Sequence, residues 1–245
     1  MVDQASKIVK SGELSWELNA FEAQKAYLSG NTLEASRLWQ KSIELVQILP
    51  TEDPRYFTSL NNAGLVYALN ENPDKAEDAF KRTLEGWQKA RAWTSSMEVS
   101  GTARSSIFHH RLEVRHQDHF TEHNRKRYCN WIDGAEAITA FNLSMVQVSN
   151  NRKAEGMENL ARALNLRQQA FGATNPELAV ILRKLAELVD DEAVSVGYLE
   201  RAQNAERNPT RNALERWGDE CPQVMNDMRR LLGAVCLTAM LVHRN

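Results

Sequence analysis

Five of the six histidines in this 245-residue chain lie between residues 109 and 123, in the stretch "HHRLEVRHQDHFTEH". On one helix at 100° per residue, His116, His119 and His123 fall within an arc of about 60°. Imidazole nitrogens spread over two turns of one face can reach a single divalent ion, with Glu122 or Asp118 beside them, so zinc, nickel or copper binding is the chemistry this spacing permits. The plainer reading is a helix whose polar face is solvated or packed. The same segment, residues 104–127, is rich in basic side chains: Arg111, Arg115, Arg125, Lys126 and Arg127. They suit an anionic partner, nucleic acid included. Glu113, Asp118 and Glu122 dilute that charge, and no aromatic rings interleave it as in single-strand binders, so a water-facing helix is the expectation.

Which chemistry holds depends on the elements that carry these residues. The chain has only 11 glycines and 6 prolines, too few for the many turns of a sheet protein, which favours helices joined by short connections. Its formal net charge of −2 removes any global argument for nucleic acid or an anionic membrane. Cys129, Cys221 and Cys236 are odd in number, far apart and without a C-x-x-C pairing. Neither a disulfide framework nor a cysteine zinc site is expected, and a reducing cytoplasm fits best. The N-terminal "MVDQASKIVKSGELSW" lacks the apolar core of a signal peptide,. The longest apolar run, "LLGAVCLTAMLV" at 231–242, is shorter than the roughly 20 residues a membrane helix needs. The expectation is a soluble cytoplasmic protein.

A repeat runs through the chain. Ala35, Trp39 and Ser42 are spaced like Ala76, Phe80 and Thr83, following A-x3-F-x2-A. Those offsets place a ring between small residues on one helical face, where a second helix can approach closely. Upstream of Ala76, Leu60, Ala63, Gly64 and Tyr67 recur at intervals of three or four and supply the first helix of a pair. A third instance places Leu143, Ser144, Gly156, Leu160 and Ala163 in the matching slots, and Leu182, Leu185, Ala186 and Val189 open another unit. Ala35 and Ala76 are 41 positions apart, while Ala76 and Gly156 are 80 apart. The doubled interval implies a cryptic middle unit.

These slots resemble the tetratricopeptide repeat, on Gly64, Tyr67, Ala76 and Phe80 most closely. The stretch "ARALNLRQQAFGATNPELAVILRKLAELV" is similar to the longer variant of kinesin light chains, with its G-x-x-x-P-E linker. The first unit departs, with Ala23 and Ala26 where the family has Gly and Tyr. The resemblance implies an all-α chain: a right-handed α-solenoid of about five helix pairs, the middle one cryptic, with C-terminal capping helices. The expected boundaries are a leader at 1–14, two repeats at 15–92, an irregular repeat at 93–130, two more at 131–207 and the cap at 208–245.

The resemblance also implies a non-enzymatic scaffold or adaptor that holds a protein or peptide in the concave groove lined by the first helix of each pair. Ligand-facing positions carried across are Asn61, Asn62, Asn142, Met145, Arg183, Lys184 and Glu187. Asparagine amides donate and accept, so they can grip an extended backbone. Arg183 and Lys184 would favour acidic groups. The Lys and Asn clamp of the chaperone-binding variety is missing, since Ala20 and Gln24 stand there. Residues 231–242, apolar on nearly all sides, suggest burial in the chain's own groove, or a homodimer or complex formed through that helix.

The alternative is enzymatic. His119-Phe120-Thr121-Glu122-His123 reads as H-x-x-E-H and resembles one class of zinc peptidase. That resemblance would make His119 and His123 zinc ligands, Glu122 the base and Glu200 the third ligand, with His116 nearby. The absence of alternating strand patterns and the basic "NRKRY" after the motif weigh against it. No cofactor is favoured, zinc being the alternative.

Overall fold

A computed structural model describes residues 15–16, 18–47, 54–96 and 122–207. Among these residues all regular structure is helical and there is no strand. Eight helices follow in order: α1 (residues 18–28, continuing a turn at 15–16), α2 (Thr32–Val46), α3 (Pro54–Leu69), α4 (Pro73–Ser96), α5 (Glu122–Ser149), α6 (Lys153–Phe171), α7 (Leu178–Leu188) and α8 (Glu192–Arg207). Together they form a stack of helix pairs, the α-solenoid that the small-residue slots imply.

Local chemistry sets where the helices begin and reverse. Pro54 and Pro73 occupy first helical positions, where a missing N–H is no loss,. Asn31 accepts from the Glu34 N–H at 3.3 Å and Asn72 from the Lys75 N–H at 3.4 Å, while Asp191 caps α8 through the Val194 N–H at 3.1 Å,. Three turns are built alike. Gly30, Glu71 and Asn151 have φ of 89°, 54° and 61°. The residue after each donates back to the preceding helix at 2.9 Å, Asn31 to Ala26, Asn72 to Tyr67 and Arg152 to Gln147. A left-handed residue followed by this return bond closes a helix and reverses the chain in three residues,. The equivalence confirms that α1/α2, α3/α4 and α5/α6 are copies of one unit.

Within a pair, glycines let rings approach the backbone. A Cβ on Gly64 of α3 would stand 2.5 Å from the Phe80 ring of α4, and one on Gly86 of α4 would stand 2.3 Å from the Phe57 ring of α3. The next pair repeats the arrangement: Gly134 of α5 meets the Phe171 ring of α6, and Gly156 of α6 meets Val148 of α5, at 2.7 and 2.5 Å. Each pair is therefore fastened twice, once from either helix. In α1/α2, where alanine replaces glycine, Trp39 instead packs on Tyr27 with ring centres 5.3 Å apart, above a fully buried Ala23.

Pairs stack along one continuous apolar core that runs from Ala23 to Ala202. α5 lies directly on α4 and also touches α3. Arg91 reaches Asp133 near one end of the α4/α5 contact, and Glu77 reaches Arg152 at the other. Among the described residues the α5/α6 pair thus packs directly against α3/α4. Residues 93–96 finish the 24-residue α4 and residues 122–130 begin the 28-residue α5. The rest of the irregular unit expected at 93–130 lies outside the described residues.

Replacing Gly64 or Gly86 by Ala drives a methyl into a ring held by its neighbours and is expected to lower stability by about 1–3 kcal/mol each. Gly197→Ala is the control, because a Cβ there meets nothing within 4 Å. It should raise stability by roughly 0.5–1 kcal/mol through helix propensity alone. Urea midpoints of the three variants test the contrast.

Candidate functional site

The first helices of adjacent pairs, α3 and α5, lie side by side, and the seam between them is polar. The Asn142 amide donates to the Asn61 side-chain oxygen at 3.0 Å, and the Asn61 amide donates to Asn62 at 3.0 Å. All three asparagines are buried, as are Arg55, Thr58, Ser59 and Thr139 around them. None of Arg55, Thr58, Asn61, Asn62 and Asn142 is left without a partner. Ser59 accepts from the Trp16 indole N–H at 2.7 Å, which carries the polar line on to the helix turn that precedes α1. Leucines here would give more burial energy per side chain. A connected, satisfied amide network instead makes this seam specific.

Charged pairs fix the same helices from outside. Asp133 and Glu136 of α5 are buried and take Arg91 of α4 and Arg162 of α6. Glu77 of α4 takes Arg152, with a second contact between Arg152 Nη1 and Glu77 Oε1 at 3.0 Å, and Lys81 at 2.8 Å. The hydrogen bond from Arg152 outweighs burial and, with Lys81, holds the Glu77 carboxyl down to about 2. Asp133 goes the other way. Burial pushes its carboxyl above the ordinary range despite the hydrogen bond from Arg91, while that bond holds Arg91 more firmly protonated. The asymmetry follows from exposure: 5% for the Asp133 side chain against 46% for Arg91, so the loss of water falls on the carboxylate,.

The residues expected to face a ligand fall into two groups. Asn61, Asn62, Asn142 and Met145 gather at the α3/α5 seam, where they are covered rather than open to water. Arg183, Lys184 and Glu187 stand on α7, already paired: Arg183 bridges to Glu206 of α8 at 2.7 and 3.0 Å, and Lys184 bonds Glu187 at 2.8 Å. Of the metal alternative, His116 and His119 lie outside the described residues, as does most of the basic segment 104–127. Glu122 and His123 sit in the first turn of α5, and Glu200 is exposed on α8. Among the described residues no three metal-ligating side chains gather. The apolar segment 231–242 also lies outside the described residues. No described helix is long and apolar enough to cross a membrane.

Sequence reasoning missed the buried acids Glu77, Asp133 and Glu136, whose signal is carboxylates at positions that the helical period assigns to the interior. It also missed the ring partners of Gly86 and Gly134, which fall outside the repeat's slots.

The family "Tetratricopeptide repeat" matches residues 23–89. Among solved structures, the one titled "MamA RS-1 ArsTM double mutant" is 15% identical, covering 79% of this chain and 95% of that one, with a TM-score of 0.28. No curated protein matches the chain.

The two acids predict opposite pH behaviour. Glu77, depressed from 4.5 to about 2 when folded, contributes stability that is present above pH 4.5 and lost as pH falls towards 2. Asp133, raised by folding, favours the folded state in acid, and its share falls as pH rises through its folded value,. Glu77→Gln should therefore lower stability at pH 7 by about 2 kcal/mol, a difference that shrinks as pH falls from 4.5. Asp133→Asn should stay within about 1 kcal/mol of the parent at pH 7. Urea unfolding at pH 3 and pH 7 reads both.

Proposed function

We propose that this chain, a tetratricopeptide repeat protein by its match across residues 23–89, binds a segment of another protein at the polar seam of α3 and α5. Tetratricopeptide repeats mediate protein–protein interaction. The finer reading is an adaptor or regulatory subunit within a cytoplasmic assembly, acting by binding rather than by catalysis.

The observation that carries this reading is the hydrogen bond from Asn142 to Asn61. It joins the first helices of two successive repeats through groups that both donate and accept, at the seam where such arrays receive their ligands. A guest's peptide groups have the same donor and acceptor pattern and would exchange for the contacts the amides now make. Met145, buried one turn further on, would offer an apolar contact beside them. Arg183, held by Glu206 across a half-exposed surface, would accept an acidic group in exchange for that pair.

The test is capture of proteins and random peptides by the immobilised full chain, repeated with Asn61→Leu and Asn142→Leu together. The pair of substitutions removes both partners of the Asn142–Asn61 bond but also the donor that Asn62 accepts from, so a loss of about 1–3 kcal/mol in stability with the helical fold retained is expected. Circular dichroism should match the parent while affinity for the captured ligand falls at least about tenfold. Parent-like affinity in the double variant, or no ligand for the parent chain, would contradict the proposal.

A further inference from the structure

α1 is apolar on two opposite faces, and among the described residues only one of them is covered. Ala20, Ala23 and Tyr27, with Trp16 just before the helix, face inward and are at most 7% exposed. Leu18, Phe21 and Leu28 face outward and are 62%, 57% and 62% exposed, with Lys25 between them. Leu33, just beyond the turn at Gly30, is 83% exposed. A contiguous apolar stripe exposed on a helix marks a contact surface. Leu18, Phe21, Lys25 and Leu28 are spaced three, four and three apart, the spacing of a seam between two helices.

The stripe is complementary to itself. When a second α1 is laid antiparallel across a twofold axis at residue 23, Leu18 meets Leu28 of the other copy and Phe21 meets its Lys25, each twice. An ammonium over a ring is attractive, and Glu22, beside Phe21, gives the incoming Lys25 a carboxylate. In a parallel arrangement Lys25 would face Lys25, placing like charges together in an apolar seam. Charge therefore selects the antiparallel form, in which the patch closes on itself about a twofold axis.

We propose that the outer face of α1 is a self-association surface, through which two copies of this chain pair antiparallel. One helix from each copy contributes less than the roughly 1,200 Å² of a standard stable interface, so the dimer is reversible and depends on concentration. This surface is separate from residues 231–242 and independent of the α3/α5 seam.

Sedimentation velocity of the full chain from about 5 to 500 µM should show the average mass rising from 27.8 kDa towards twice that value. Phe21→Lys, at an exposed position, should leave helicity unchanged and hold the mass at the monomer value. A variant carrying Leu18→Cys and Leu28→Cys should cross-link copies beyond the level of the parent chain, and either substitution alone should not. A monomer at every concentration, a dimer indifferent to Phe21→Lys, or equal cross-linking by the single-cysteine variants would overturn the proposal.

Discussion

The closeness of paired backbones at four points, Gly64, Gly86, Gly134 and Gly156, is the constraint on which the rest of the structure depends. At each point a side chain from the partner helix occupies the space where a Cβ would stand. Because each helix of a central pair supplies one glycine and one filling group, sliding either helix along the other breaks both contacts together. Two fastenings per pair fix the register, and the three-residue connections through Glu71 and Asn151 join the helices at that register. A pair locked in this way behaves as a rigid tile.

Tiles are joined by a different set of forces. Between α4 and α5 the ends of the contact are held by Glu77 with Arg152 and by Arg91 with Asp133. Further along, Lys153 with Asp190 repeats the pattern, while Arg183 with Glu206 lies within the α7/α8 pair. Apart from Glu77, whose carboxylate is largely covered, ion pairs at exposed edges contribute little stability each, but together they restrict the angle at which one tile sits on the next. Sterics therefore set the unit and charge sets its stacking. The product is a line of first helices whose neighbouring faces carry Asn61, Asn62 and Asn142. The rigid tiles keep amides from two repeats within hydrogen-bonding distance of each other, 3.0 Å between Asn142 and Asn61.

How much of this was legible in the sequence depended on whether an interaction lies inside the repeat's own period. Ala76, Phe80 and Gly64 could be read as packing positions because their spacing recurs, and the structure places Ala76 and Phe80 wholly in the interior. The Gly86 and Phe57 contact is just as close, but its residues sit where the repeat asks for nothing particular. The doubled interval between Ala76 and Gly156 gave no sign that α4 and α5 would run to 24 and 28 residues, because periodicity counts residues and not helix lengths. For the asparagines, the family resemblance implied the inner side of α3 and α5. Their burial depends on what lies across from that side, which no local pattern encodes. The outward stripe of α1 was not recognised for the opposite reason: two apolar faces on one short helix blur its periodicity.

The most direct test of the central claim is a double-mutant cycle on Gly64 and Phe80. If the glycine matters because a ring fills its missing Cβ, Gly64→Ala should be strongly destabilising with Phe80 present and nearly neutral once Phe80→Ala has removed the ring. The coupling energy should then exceed about 1 kcal/mol. Additive effects of the two substitutions would show that the close approach does not hold the pair together, and the account built on it would fail.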